Sequence, residues 1–208
     1  MSTIIDISPP IDAHLAVWPG DVPFERIVAM DIDQGDHLSL SAIKTAVHLG
    51  AHADAPHHYA KDERGIGHVA LEPYLGPCQV LHVDVGRGQR IRPEHLTEDI
   101  RQPRVLFATN TYPDPRKFNR DFAALSPELL DMLASKHVRL VGIDTPSIDL
   151  EDSKALESHN ALYRHRMSVL EGVVLGHVPA GDYTLIALPL PLLEADASPV
   201  RAVLMPLV

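Results

Sequence analysis

The sequence predicts an α/β fold: a single domain, residues 1–208, with a mixed β-sheet core and a few short helices. Three observations point there. QVLHVDV at 79–85, RVLFATN at 104–110 and VRLVGID at 138–144 are apolar runs of strand length bounded by turn residues, the pattern of buried strands. Three short helical segments occur among the strands without strict alternation, which favours a mixed sheet over a regular doubly wound one. A chain of 208 residues with 45% hydrophobic content can bury one sizeable core, and no internal repeat or low-complexity linker divides it.

Taken in order, TIIDI at 3–7 reads as a short strand, and the two prolines of SPPID end it. AVWPGD then carries the only tryptophan, Trp18, into a turn, where a lone tryptophan is ordinarily a lid over a local cluster. LSLSAIKTAV at 38–47 alternates as a strand and delivers the chain into residues 48–59. Residues 60–76 are rich in glycine, charge and proline and read as irregular; Tyr59 and Tyr74 are either pocket walls or packing. After the strand at 79–85, GRGQR turns without the spacing of a phosphate loop, and PEHLTEDI at 93–100 predicts a short helix opened by Pro93.

TYPDPRKFNRDF, following the second buried strand, is a proline-broken polar loop. Ser126 caps a helix from Pro127 to about Lys136 whose Leu129, Leu130 and Leu133 share a core face. Thr145-Pro146 stops the third strand, leaving Asp144 and Thr145 either as pocket residues or as an ordinary turn. SKALESHNALYRHR at 153–166 reads as a helix or helix-like loop that carries His159, with Ser153 as candidate cap. SVLEGVVL at 168–175 is an apolar strand interrupted by Glu171, and a carboxylate there is costly unless paired, hydrogen-bonded or metal-bound. YTLIALPL and VRAVLMPLV read as two closing strands.

The bulk properties narrow the function. A net charge of −10 with no run of Lys or Arg argues against nucleic acid and anionic membrane as partners, leaving small-molecule chemistry. One cysteine, Cys78, excludes an internal disulfide framework, and MSTIIDISPP lacks the basic start and long apolar run of a secretory signal, so the expected compartment is the cytosol. No apolar stretch reaches the roughly 20 residues that span a bilayer.

The chemistry concentrates in HLGAHADAPHHY, residues 48–59, which holds four of the thirteen histidines. In an extended chain His48, His52, Asp54 and His58 share one face, while Leu49, Ala51, Ala53 and Ala55 share the other. A helix would pair His48 with His52 but turn Asp54 roughly 200° from His52, and Gly50 and Pro56 both oppose it. The segment therefore predicts a strand ending in an irregular turn. Imidazoles plus a carboxylate without thiolates suit Zn²⁺ or a similar divalent ion, and Asp54 can bridge two ions through its two oxygens. Surface or hydrogen-bonded core histidines are the bland alternative.

His48, Gly50, Ala51, His52, Asp54, Pro56 and His58 match the H-x-G-[TA]-H-x-D-x-P-x-H signature, so the segment resembles the cyclase family of metal-dependent hydrolases. Ala51, with VWPGD at 17–21, GIDTPSID at 142–149 and LEGVVLGHVPAGDYTLIALPL at 170–190, is similar to the members that act on N-formyl-L-kynurenine in tryptophan breakdown, and the likeness covers essentially the whole chain. The resemblance implies a swivelling β/β/α fold and two divalent ions per chain; the His and carboxylate donors favour Zn²⁺, with Mn²⁺ fitting the oxygen-rich half almost as well. It implies one ion on His48, His52 and Asp54, and another on His159, Glu171 and bridging Asp54, with Glu171 bridging too. It further implies that a metal-activated water cleaves the formyl amide to give formate and L-kynurenine, that Trp18 lies against the aromatic substrate, and that the protein is a homodimer. His58 is the expected proton donor and acceptor, and His57 points the opposite way in an extended chain and is expected to be structural. The competing readings are a relative that hydrolyses another cyclic amide, lactone or ester, and a metal-binding protein without turnover.

Overall fold

In the computed structural model, which describes residues 4–207, alternation along the central strands sorts their side chains to two faces. The elements in order are β1 (Ile5–Asp6), β2 (Glu25–Met30), β3 (Leu40–Lys44), β4 (His52–Asp54), β5 (Leu75–His82), β6 (Arg90–Ile91), β7 (Arg104–Ala108), β8 (Ala124–Leu125), α1 (Pro127–Ser135), β9 (Leu140–Ile143), α2 (Glu157–Arg164), β10 (Ser168–Leu170), β11 (Gly181–Ile186), β12 (Ala197–Pro199) and β13 (Val203–Pro206). Seven of the strands form one sheet in the order β1-β13-β11-β5-β7-β9-β10. Its β5-β7-β9-β10 half is parallel and its β1-β13-β11-β5 half antiparallel, which bears out the mixed α/β expectation.

On one face Val105 and Phe107 of β7 pack with Leu129, Leu130 and Leu133 of α1 and with Ala161 and Leu162 of α2. On the other, Leu106 and Ala108 join Ala51, Ala53 and Ala55 of the segment that contains β4, which pairs antiparallel with β12. The layers are therefore helices, main sheet and a small second sheet. Fully burying a leucine contributes about 1.5–3 kcal/mol, so the three α1 leucines alone anchor the helical layer. Ser126 caps α1 as expected, its hydroxyl accepting from the Leu129 amide at 3.1 Å.

Four sequence expectations change. Thr3, in the strand expected at 3–7, lies outside the described residues, and the strand itself is Ile5–Asp6. The helix expected at 93–100 is a single 3-10 turn, Pro93–His95, because the buried Gln79 side chain donates to the Asp99 carbonyl and accepts from the Arg101 amide, replacing a helical ladder. Ser153 does not cap the helix carrying His159: α2 opens at Glu157 after Leu156 at φ +48°, and the Asp149 carboxylate accepts from the Ser158 and His159 amides. The ligand strand shrinks to His52–Asp54, since Gly50 at φ +58° takes the left-handed region and ends the extended run. β2, which pairs with β3 as an exposed ribbon, is absent from the expected elements.

β4 and the end of β10 meet through a reciprocal main-chain bridge: the His52 amide donates to the Glu171 carbonyl and the Glu171 amide to the His52 carbonyl, both at 3.0 Å. Gly172 allows this approach. It sits at φ +66°, and an added Cβ would fall 2.2 Å from the Gly50 carbonyl oxygen. Gly172→Ala is expected to cost roughly 2–4 kcal/mol, a fall in Tm of about 5–15 °C for a chain of this size. Gly88→Ala, also at positive φ but with nothing within 4 Å of the added carbon, should cost only about 1–2 kcal/mol. Equal losses in thermal melts would contradict the contact argument.

Candidate metal centre

The bridge brings residues from three segments into one buried cluster. His52, Asp54, His159 and Glu171 are each 1–2% exposed, and His48 and His58 lie beside them at the cavity wall. His48 Nδ1 is 3.0 Å and His52 Nε2 3.5 Å from Asp54 Oδ1, while His159 Nε2 is 3.5 Å from Asp54 Oδ2. Glu171 Oε2 lies 3.2 Å from His52 Nε2, and Oε1 lies 3.5 Å from His159 Nε2 and accepts from the Ile148 amide at 2.7 Å.

Each of the three candidate ligand histidines has its outer nitrogen tied down. His48 Nε2 contacts Asp196 Oδ2 at 2.9 Å, His52 Nδ1 donates to the Gly50 carbonyl at 2.8 Å, and His159 Nδ1 donates to Asp149 Oδ2 at 2.9 Å. A proton held outward leaves the inner nitrogen with a free lone pair, the arrangement in which imidazole binds a metal. Asp149 is itself anchored by Arg90, whose guanidinium donates to Oδ1 at 2.8 Å.

Four of the inner atoms lack hydrogen bonds. His52 Nε2, His159 Nε2 and both Asp54 oxygens are buried without a partner among the described residues. Each such group costs about 1–3 kcal/mol if left so. Donor atoms held at about 2.1 Å around a tetrahedral ion stand roughly 3.4 Å apart, close to the separations seen here. Two overlapping sets share Asp54, one with His52 and Glu171 and the other with His48 and His58. The donor set thus fits divalent cations, with Asp54 placed between two positions. His48 and His52, expected to share an ion, both stand over Asp54 Oδ1 with ring centroids 5.0 Å apart; His52 also reaches Glu171, and His58 stands beside His48 at 4.3 Å between centroids.

The local charges follow from burial and pairing. Burial pulls the His48 ring down, but the Asp54 and Asp196 carboxylates outweigh it and raise its pKa to about 9. Burial likewise opposes charge on His159, yet Asp149, Asp54 and Glu171 hold it well above the ordinary imidazole value. An ion must displace these protons, so affinity should weaken toward acid pH, for the His48 proton from about 9 downward by up to tenfold per unit. Ions per chain and activity, measured after dialysis against limiting Zn²⁺, should therefore decline together toward acid pH. A metal content flat down to about pH 5 would contradict this.

Above the cluster is a cavity of about 550 Å³ lined by Trp18, Pro146, Leu150, Leu156, His58 and Asp196, among others. Trp18 stands edge-on to Phe118 and Phe122, at centroid distances of 5.3 and 6.0 Å, and presents an aromatic wall to the cavity. Asp144 and Thr145 do not line it. Asp144 accepts from the Thr109 and Asn110 amides, each at 2.8 Å, and ties the ends of β7 and β9 together, while Thr145 donates to the Ser147 carbonyl. His57 turns away to the Glu63 carbonyl, Tyr59 packs on His159 at 5.2 Å, and Tyr74 is buried. Asp149 and Asp196 escaped the sequence reading. Asp149 at least closes GIDTPSID, whereas nothing in LEADASP marks Asp196.

This fold and donor set define a metal-dependent hydrolase of the cyclase type, and the chain belongs to the Cyclase family, whose model matches residues 5–150. It is 48% identical over 206 residues to the kynurenine formamidase of Bordetella pertussis, and equally to that of Bordetella bronchiseptica, spanning 98% of this chain and 98% of each relative. Among solved structures it is similar to one described as a potential metal-dependent hydrolase with cyclase activity, at TM-score 0.85 and 26% identity over 100% of both chains. It also shares its fold with isatin hydrolase A from Labrenzia aggregata, at TM-score 0.80 and 21% identity over 99% of this chain and 94% of that one.

Proposed function

We infer that this chain is an arylformamidase that hydrolyses N-formyl-L-kynurenine to L-kynurenine and formate. The observation that carries the reading is the convergence of unpartnered imidazole and carboxylate atoms beneath a Trp18-walled cavity, in a chain 48% identical end to end to kynurenine formamidases. The catalytic unit is residues 1–208 as one domain.

His48, His52, Asp54, His159 and Glu171 would hold two divalent ions, Zn²⁺ in preference to Mn²⁺ for this His and carboxylate set. Such ions, when bound, lower the pKa of a water toward neutrality and polarise a carbonyl. The residues of the chain do the rest. Trp18 stacks against the anilide ring, worth about 0.5–1.5 kcal/mol beyond area burial. His58, at the cavity wall, takes a proton from the attacking water and returns it to the anilide nitrogen, a poor leaving group until protonated.

No helix among the described residues is long and apolar enough to cross a membrane, and Cys78 is buried and free. We place the enzyme in the cytosol and expect a homodimer, for which the exposed β2–β3 ribbon, with Ile27 and Leu40 on one side and Val28 and Ile43 on the other, offers apolar side chains. Assaying N-formyl-L-kynurenine beside isatin and simple lactones tests the substrate. Brisk ring opening with negligible deformylation would overturn it in favour of another cyclase-family hydrolase, and no turnover with bound metal would favour a binding protein.

A further inference from the structure

We propose that Asp196 is the positioning residue for His58, a role that rests on the amidase reading above. Asp196 stands next to β12, and its carbonyl accepts from the Ala55 amide at 2.8 Å while Ala197 registers with Asp54. The main-chain pairing hangs its carboxylate over the ligand segment from outside. One oxygen, Oδ2, serves two rings: it lies 2.9 Å from His48 Nε2 and 3.5 Å from His58 Nδ1.

His48 turns Nδ1 to Asp54 and Nε2 to Asp196, so once an ion takes the Nδ1 lone pair its one remaining proton lies on Nε2 and is donated to Asp196. The same oxygen then offers a lone pair to His58 Nδ1, a contact that a small ring rotation converts to a hydrogen bond. Among the described residues, no other carboxylate lies within 4.0 Å of the His58 ring nitrogens. Asp196 thereby favours the tautomer with the proton on Nδ1, leaving the Nε2 lone pair free for chemistry. Water adds its oxygen to the formyl carbon and gives one proton to Nε2. As the C–N bond breaks, its electron pair returns to nitrogen, which takes that proton; formate departs with the new oxygen and loses its remaining acidic proton to solvent. His48, tied to the same carboxylate, keeps this ring in register with the ion-binding cluster.

The test compares the Zn²⁺-loaded full chain with Asp196→Asn on N-formyl-L-kynurenine and on 4-nitrophenyl formate, whose leaving group departs without a proton. Asp196→Asn is expected to lower kcat on the anilide by about 10–100-fold and to lower the anilide-to-ester rate ratio at least tenfold. In ¹⁵N spectra of the same samples, wild-type His58 should carry its proton on Nδ1, and the variant should shift toward Nε2. Equal losses on both substrates, no loss on either, or an unchanged tautomer would overturn the proposal, as would a wild-type ring protonated on Nε2 alone. If the wild-type protein cleaves the ester but not the anilide, the substrate reading fails, and the tautomer comparison still decides the role of Asp196.

Discussion

His58→Ala should keep its full complement of ions and lose about 10²–10⁴-fold in kcat on N-formyl-L-kynurenine, the range for removing a general acid or base. Two features of the site lead to this. His58 lines the cavity, unlike His57, and so can reach a bound amide. Burial, above all, holds its pKa below the ordinary imidazole value, against the pull of Asp54, so the ring is neutral near pH 7 and free to take a proton. A contrary pull exists, because His58 also belongs to a three-residue set with His48 and Asp54 that could hold an ion. Metal analysis by plasma emission on protein purified without chelator or nickel decides between the two. Loss of an ion per chain in His58→Ala would make it a ligand, and unaltered turnover would remove it from the chemistry altogether.

Asp54→Ala should strip the ions and take turnover to the level of metal-free protein. Asp54 is the one carboxylate in both candidate ligand sets, and neither of its oxygens has a hydrogen bond among the described residues. The loss of ion affinity should exceed the roughly 10–100-fold typical of removing a group that merely orients a ligand. Asp149→Asn supplies that comparison, since Asp149 touches the centre only through His159 Nδ1 and the α2 amides. Titrating Zn²⁺ into each variant, with circular dichroism to verify folding, checks the order. An Asp54→Ala chain that still binds two ions tightly would remove Asp54 from the centre.

Local periodicity made part of this site legible in the amino-acid order. Residues two apart in an extended segment share a face, so His52 and Asp54 were paired on the polar side and Ala51, Ala53 and Ala55 on the buried side, as the structure has them. Ser126 and the α1 leucines were legible for the same reason: a cap and an apolar stripe are set within one or two turns of chain. Glu171 stood out because a carboxylate in an apolar strand demands compensation. The join between Glu171 and His52 was not legible, since a main-chain bridge between distant segments leaves no trace in local spacing.

Tertiary structure alone decided which groups orient the candidate ligands. Asp149 reaches His159 because it also caps α2 from the loop after β9, and Asp196 reaches His48 because β12 registers on β4. The helix expected at 93–100 was lost to Gln79, a side chain on another strand that offered the backbone better partners than a helix would. Spacing along this chain determined which residues are chemically able to bind cations. Which of them meet, and with which nitrogen or oxygen turned inward, was set by long-range strand pairing, because hydrogen-bond register between distant segments is a property of the assembled sheet and not of any short stretch of sequence.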